Sequence, residues 1–404
     1  VDVVTGALAD AAAEFTLPLG SSADSGEIAW RRYYCTRPLA LGRLGWGHTH
    51  EYDRTLRAVV DGWLYAQPDG DTVLFPFVPT GESSESVGYV LRAVAGGFTV
   101  RAPDTTTFEF AVKDVAGMGR LRRVTRGGRT IVLEYDPQGR LARIADASGA
   151  RAVTLDYLND RVQAIWLAQH PDRTKGSPLA LMRYQYSEAG DLLAATDRYG
   201  HAQRFTYDAA HRMLTRVDRN GYRFEYVYDA SGRCVLSRGH DRNGEVKLRY
   251  MPEALATEVT RADGGHWLYR YDASLTITEI IDPYGGIRRF EYDDAGRMVA
   301  ETDADRHTRR PLYGAAGDII AWRTADGGLR PADSPSGPLP HQVPGTPAEL
   351  ELGDLAAEVV SLAPMASVGI EPLLSGGASI YSQVFDERDA RALANGDVVP
   401  AAPL

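Results

Sequence analysis

Between Tyr207 and Tyr228 the chain reads YDAAHRMLTRVDRNGYRFEYVY. Two kinds of punctuation divide this stretch. A Tyr-Asp pair stands at each end, Tyr207-Asp208 and Tyr228-Asp229, and an Asp-x-x-Gly element, Asp218 to Gly221, stands halfway. An Asp side chain bonds the backbone two residues on and Gly accepts a positive φ, so both elements are predicted to be hairpin turns. Between the turns the residues alternate. In Tyr222-Arg223-Phe224-Glu225-Tyr226-Val227-Tyr228 the aromatics share one face and Arg223, Glu225 and Val227 the other. A period of two, rich in aromatic and β-branched residues, argues strand; a period of 3.6 would scatter the same rings around a helix axis.

The pattern repeats. Tyr135, Tyr157, Tyr186, Tyr207, Tyr228, Tyr250, Tyr271, Tyr292 and Tyr313 follow one another at spacings of 22, 29, 21, 21, 22, 21, 21 and 21 residues. The long gap holds His170–Pro178, which reads as an extended loop. Tyr-Asp turns recur, as at Asp136 with Gly139, and halfway turns at Asp146–Gly149, Asp197–Gly200, Asp218–Gly221, Asp241–Gly244 and Asp282–Gly285. Each unit is then two strands and two turns. One hairpin is marginal alone, but stacked hairpins make a sheet in which equivalent aromatics should form ladders, and a twisted sheet of many strands must curl. The predicted fold is all-β: a long curled antiparallel sheet of stacked 21-residue hairpins, an open or partial β-shell, followed by a short, partly helical C-terminal tail.

The flanks divide the chain further. Residues 1–110 lack the period but carry strand-like runs (Thr72–Phe75, Gly97–Val100) between turn clusters (Gln67–Gly70, Gly81–Ser84, Arg101–Asp104), and read as a β cap that protects the first edge of the array at 111–330. Residues 331–347, PADSPSGPLPHQVPGTP, read as a linker. In the tail, 348–404, one helix is expected to start at Thr346-Pro347 and run to about Leu362, and a second from Phe385 to Ala394.

Composition narrows the partners. The chain has 404 residues, 44% hydrophobic content and a formal net charge of −10, which disfavours nucleic acid and anionic membranes. No apolar run is long enough for a membrane-spanning helix, and no signal peptide is visible. The sequence opens at Val1 rather than Met, which reads as a processed or cut product. Cys35 and Cys234 are far apart and read as buried thiols.

The Tyr-Asp turn, the Gly-Arg that follows it and the halfway Asp-x-x-Gly resemble the YD repeats of bacterial Rhs proteins, of the Tc-toxin shell components and of teneurins, over about residues 110–330. The leading segment is similar to the domain that precedes the repeats in Rhs proteins, at Val1–Gly6, Trp30–Tyr34 and Leu44–Asp53. The resemblance implies a structural role without enzymatic activity, the tail left open. The repeats of that family wall in a C-terminal toxin that is secreted or delivered, often by a type VI system, in competition between bacteria. Implied partners are a toxin or other polypeptide cargo, a secretion-spike protein and further copies of the chain. About nine units are fewer than a full shell of that family, and neither its self-cleaving Asp-Pro segment nor a toxin domain is recognisable. Two alternatives stay open: a carbohydrate- or protein-binding module using the aromatic-lined sheet, and a small toxin in 348–404.

Catalytic, metal and cofactor readings weigh less. His48 and His50 share one face if extended, but no further ligands are marked by spacing. Gly42–Gly47 lacks the Lys-Ser/Thr ending of a phosphate loop and reads as a tight turn. Each Asp-x-x-Gly offers one carboxylate where calcium wants six to eight oxygens. Asp386–Asp389 reads as a solvated helix start. No metal, cofactor or catalytic residue is assigned.

Overall fold

A computed structural model of the chain describes residues 1–19, 26–112, 118–169, 179–293, 297–314 and 319–331. The loop read at 170–178, most of the linker, and the tail with its helices and the 386–389 cluster lie outside the described residues. Among the described residues regular structure is β-strand, apart from short 3-10 turns at His240–Arg242 and Pro252–Ala254. No helix there is long and apolar enough to cross a membrane. The described chain forms two compact units, Ala9–Phe224 and Val1–Leu8 with Glu225–Pro331.

The first unit opens with a leading layer. Strands β1 (Ala9–Pro18) and β2 (Glu27–Cys35) pair with each other, β3 (Leu41–Gly42) and β4 (Gly45–Trp46) form a small hairpin, and β5 (His48–His50) pairs with β2. Eight strands follow: β6 (Thr55–Val59), β7 (Gly62–Ala66), β8 (Thr72–Phe75), β9 (Ser83–Ser86), β10 (Tyr89–Val94), β11 (Gly97–Arg101), β12 (Thr107–Val112) and β13 (Met118–Arg126). They run as neighbours in chain order, and Met118–Arg120 return to pair with Thr55–Arg57, which closes a ring. Its interior is buried Leu56, Tyr65, Phe75, Leu91, Val100, Phe108, Phe110 and Leu121. The far end of β13, Arg123–Arg126, pairs instead with β14 (Arg129–Tyr135). One strand therefore ends the ring and begins the array.

The array continues through β15 (Leu141–Asp146), β16 (Ala152–Leu158), β17 (Arg161–Gln169), β18 (Leu179–Tyr186), β19 (Leu192–Asp197), β20 (Ala202–Tyr207) and β21 (Met213–Val217) to β22 (Arg223–Tyr228), where the units meet in sequence. The second unit holds β23 (Cys234–Gly239), β24 (Val246–Met251), β25 (Ala256–Arg261), β26 (His266–Tyr271), β27 (Ile277–Ile281), β28 (Ile287–Tyr292), β29 (Met298–Thr302), β30 (Thr308–Tyr313), β31 (Ile319–Arg323) and β32 (Leu329–Pro331). In both units successive strands pair antiparallel, β14 with β15 and β26 with β27 for example, and this long sheet is not closed, whereas β6–β13 form a ring.

The period carries a feature the alternation did not announce. Just before Tyr135, Tyr157, Tyr186, Tyr207, Tyr271, Tyr292 and Tyr313 the register shifts by one residue on the partner strand. Tyr186 faces Leu192 while Gln185 faces Ala194, so Leu193 is extra. A bulge bends its strand and raises the local twist, so the sheet is turned at each of these positions, while Tyr250 faces Thr257 without a shift. The same shift explains why Leu193, Val299 and Ile320 stand exposed although apolar: each is the extra residue.

The candidate functional site: a leading layer clasped to the repeats

The repeat tyrosines act in pairs with the corner before them. Tyr135, Tyr157 and Tyr186 donate their hydroxyls to the carbonyls of Leu121, Leu141 and Val162, at 2.7, 2.8 and 2.7 Å. Tyr250, Tyr292 and Tyr313 do the same to Cys234, Ile277 and Met298 at 2.8, 2.9 and 2.7 Å. Leu141, Cys234, Ile277 and Met298 each begin the strand after the preceding corner, and burial pushes the Tyr135, Tyr157, Tyr186, Tyr250 and Tyr292 phenols up. Arginines cover the rings: Arg120, Arg140 and Arg233 lie 4.9, 4.7 and 4.7 Å from the centroids of Tyr135, Tyr157 and Tyr250. The expected Tyr-to-Tyr ladder is thus replaced by Arg-on-Tyr contacts. Repeat tyrosines lie on every second strand, about 10 Å apart, too far for rings to stack. Tyr207 departs from the pattern and bonds His48, while Tyr271 is buried and Tyr228 half-buried.

Four Tyr-Asp corners are clamps, while Asp272 accepts only the N–H groups of Ser274 and Thr276. Asp136 Oδ1 accepts the Arg140 N–H at 2.8 Å and Oδ2 the guanidinium Nε–H at 2.7 Å; Asp208 with Arg212, Asp229 with Arg233 and Asp293 with Arg297 repeat both bonds. Desolvation opposes the Asp136, Asp208 and Asp229 charges, and the bonds from the paired arginine outweigh it, so these carboxyls titrate below their ordinary range. At the halfway corners Asp197, Asp218 and Asp282 each accept two backbone N–H bonds at 2.8–3.0 Å, and Gly139, Gly200, Gly221 and Gly285 take φ of 81–88°. Asp241 does not make its expected turn. Gly239 and Asn243 bond across a 3-10 turn, and the Asp241 carboxylate is exposed beside His240, while Gly244 keeps a φ of 59°. The 22-residue spacing from Tyr228 to Tyr250 places one additional residue in this corner, which rewinds it. The 22-residue spacing from Tyr135 to Tyr157 is absorbed differently: Asp146 reaches one residue further, to the N–H of Arg151. Tyr157→Phe is expected to cost about 1 kcal/mol, one net hydrogen bond, and Tyr157→Ala about 3–5 kcal/mol, read from urea midpoints. A Tyr157→Phe variant as stable as the wild type would show that the hydroxyl does nothing.

The most unusual chemistry lies where the leading layer meets the repeats, inside the first unit. Trp30, Arg32 and Tyr34 alternate along β2 and are fully buried. Trp30 donates to the Tyr184 hydroxyl at 2.9 Å, and the Tyr34 hydroxyl accepts the Met213 N–H at 2.7 Å. Arg32 spreads its donors over Glu14 (2.8 Å), His48 (3.3 Å) and Gln203 (2.6 Å) and lies over the Phe205 ring at 4.7 Å. Burial works against its charge, and Glu14, then Asp10, more than restore it. Glu14 also receives Arg219, Arg219 stands 3.6 Å from Asp197, and Arg216 pairs with Asp10. A guanidinium only donates, so His48 Nδ1 is the acceptor from Arg32 and Nε2 carries the proton given to Tyr207 at 2.8 Å. His48 and His50 are therefore structural groups within a polar core.

The glycine-rich turn is a second anchor. Trp46 donates to the Ala189 carbonyl at 2.9 Å and stacks on His211 at 4.4 Å, and a Cβ on Gly45 would come within 2.7 Å of the Gly190 carbonyl. Elsewhere Asp303, Asp305 and His307 form an exposed cluster, but Asp303 Oδ1 accepts the His307 N–H at 2.8 Å as a halfway corner does. Both cysteines are buried thiols outside any disulfide, and burial pushes the Cys234 thiol up to about 11. Sequence reasoning singled out none of Glu14, Arg32, Gln203 or Arg219. The available signal was a charged residue in the apolar phase of a strand, Arg32 between Trp30 and Tyr34.

Tandem Tyr-Asp hairpins, bulged beside most of their tyrosines and headed by a separate β-layer, define a YD-repeat β-array protein. Family models agree: a domain of unknown function (DUF6531) matches residues 1–75, and the RHS repeat matches 119–151, 186–223, 207–246 and 276–308. The chain belongs to the Rhs family of YD-repeat proteins. A curated relative, Double-stranded DNA deaminase toxin A of Burkholderia cenocepacia, is 27% identical over 216 residues, 50% of this chain and 14% of the relative. Solved structures with similarity include the Photorhabdus luminescens Tc holotoxin pore (14% identity, TM-score 0.35, 65% of this chain and 15% of that one). TcdB2-TccC3 without its hypervariable C-terminal region is 14% identical with a TM-score of 0.37, over 74% of this chain and 19% of that one. The N-terminal domain of effector protein SpvB from Salmonella typhimurium is 13% identical with a TM-score of 0.24, over 56% of this chain and 98% of that one. The chain spans 14% of the curated relative and less than a fifth of either Tc structure.

Proposed function

We propose that this chain is a section of wall in an Rhs shell that holds a polypeptide cargo, a toxin, for delivery out of the producing bacterium, and that it has no catalytic role of its own. The observation that carries this reading is the repeat itself, matched by the RHS repeat in four places between residues 119 and 308. Its polar groups are spent on one another: hydroxyls on carbonyls, carboxylates on arginines, rings under guanidiniums. Such a surface is built to persist. The relative named as a toxin supports a toxin as cargo. A secretion spike and further copies of the chain are the remaining partners of this reading, with delivery by a type VI system in competition between bacteria.

The binding-module alternative draws less support, because Arg120, Arg140 and Arg233 already cover the ring faces a sugar would use. The test is protease protection. Tagged chain is purified from the native bacterium and digested with proteinase K, and co-purifying polypeptides are identified by mass spectrometry. A polypeptide that survives digestion until the wall is denatured is the expected result. Immediate digestion of everything but the repeats would overturn the reading, and a hit on a glycan array would favour the alternative.

A further inference from the structure

We propose that the leading layer, β1 with β2 and β5, is a clasp that comes off the repeats on mild acidification. The inference concerns how this part of the fold is held and stands whether or not a cargo is enclosed.

The clasp closes over groups that leave no room for another positive charge. Arg32, Arg216 and Arg219 face Asp10, Glu14 and Asp197, cation for carboxylate. His48 sits in this balanced set with no carboxylate of its own. The groups facing it are Arg32, the Tyr33 backbone and Tyr34 from β2 and Phe205 and Tyr207 from β20. Beyond Arg32 lie Glu14 and Asp10 from β1, Tyr184 from β18, Arg216 from β21, and Asp197 and Arg219 at the corners. A proton on Nδ1 would point at a guanidinium N–H 3.3 Å away, donor against donor, with a second cation beside the first.

His50 repeats the arrangement on the same strand. Its Nδ1 accepts the Tyr52 N–H at 3.2 Å, its Nε2 lies 3.1 Å from Asp53, and its ring lies tilted against Trp30 at 4.4 Å. Glu51 and Arg43 are its more distant charged neighbours. Here too the second proton has only a donor to meet. Both imidazoles are buried, and desolvation first, then Arg32 for His48, holds them neutral below the usual histidine range, against the opposing pull of a Tyr33 backbone bond on His48 and of Asp53 and Glu51 on His50.

The sign follows from where the protons go. Each histidine binds its proton more weakly docked than released, so docking is at full strength above the ordinary histidine range and weakens as pH falls below about 6.5. Each contributes up to about tenfold per pH unit in the docking equilibrium, and the pair up to about a hundredfold.

Hydrogen exchange of the whole chain between pH 7.5 and 5.0, corrected for the intrinsic rate, reads this directly. Protection in β1, β2 and β5 is expected to fall roughly fiftyfold to a hundredfold from pH 7.0 to 5.5, while β14–β16 keep theirs. His48→Gln with His50→Gln preserves an acceptor and a donor at each site without titrating, and its clasp should be flat within about twofold over that range. If the variant does not fold, the wild-type histidine C2 proton resonances decide. His48 and His50 titrating near pH 6.5 while β2 stays protected would overturn the proposal. So would a wild-type clasp with no pH dependence, or a double variant that falls as steeply as the wild type.

Discussion

Arg32→Met is expected to destabilise the first unit by about 3–5 kcal/mol, because it leaves a buried carboxylate short of its partner. Glu14 is buried with none of its side chain exposed, and Arg32 meets its Oε1 at 2.8 Å. The Met side chain fills much of the arginine's volume but supplies no N–H to Glu14, to Gln203 or to His48 Nδ1. Arg219, the remaining cation on Glu14, is shared with Asp197. The sign of the pair matters more than its strength. Removing both charges, Arg32→Met with Glu14→Leu, takes away the stranded carboxylate and leaves Arg219 to Asp197, so the double variant is expected to recover at least half of the loss. Urea midpoints followed by tryptophan fluorescence check both. A single variant costing less than about 1 kcal/mol, or strictly additive effects, would mean the network adds nothing to the hold.

Gly97→Ala is expected to cost about 3 kcal/mol, the upper end for overpacking. A Cβ at Gly97 would stand 2.0 Å from the Phe110 carbonyl oxygen, and one at Gly62 1.9 Å from that of Phe75. Both glycines begin a strand directly after a two-residue hairpin, where the carbonyl of the next strand passes beneath them. Neither atom in the clash belongs to a movable side-chain end, so β11 would have to lift off β12 and loosen the packing of Phe108 and Phe110. Gly96 is the control. It has a φ of 80° but open space around it, so Gly96→Ala meets only the conformational cost, about 1–2 kcal/mol. Thermal and urea midpoints should separate the two variants clearly; matching values would mean the close approach is absent in solution.

Much of the array was legible because its signals are local. Tyr207-Asp208 and Asp218 to Gly221 carry their own turn chemistry within five residues, and the period multiplies the signal. The bulge was hidden, since it depends on how Leu192–Ala194 face Gln185 and Tyr186, and alternation alone does not say which residue is skipped. Ring closure was hidden for a similar reason: Thr55–Arg57 meeting Met118–Arg120 is a long-range pairing with no motif on either side. The clasp was the least legible. Arg32 and Glu14 find partners at Gln203 and Arg219, and a lone histidine in an extended segment looks alike as ligand, base or packing residue until its neighbours are known. Asp241 shows the opposite limit, a motif present in letters whose turn was displaced by one additional residue.

The distance of those partners along the chain sets an order of assembly. β6–β13 need nothing beyond residue 126, so that ring is complete while most of the protein is still being made, and each later hairpin adds to an edge already present. The leading strands are made long before the residues that hold them, for Trp30 waits for Tyr184 and Arg32 for Gln203. At roughly 5–20 residues per second the delay is on the order of 10–30 seconds. During that interval an apolar, charge-bearing ribbon is available to bind elsewhere, so early interruption of synthesis should produce sticky chains that late interruption does not.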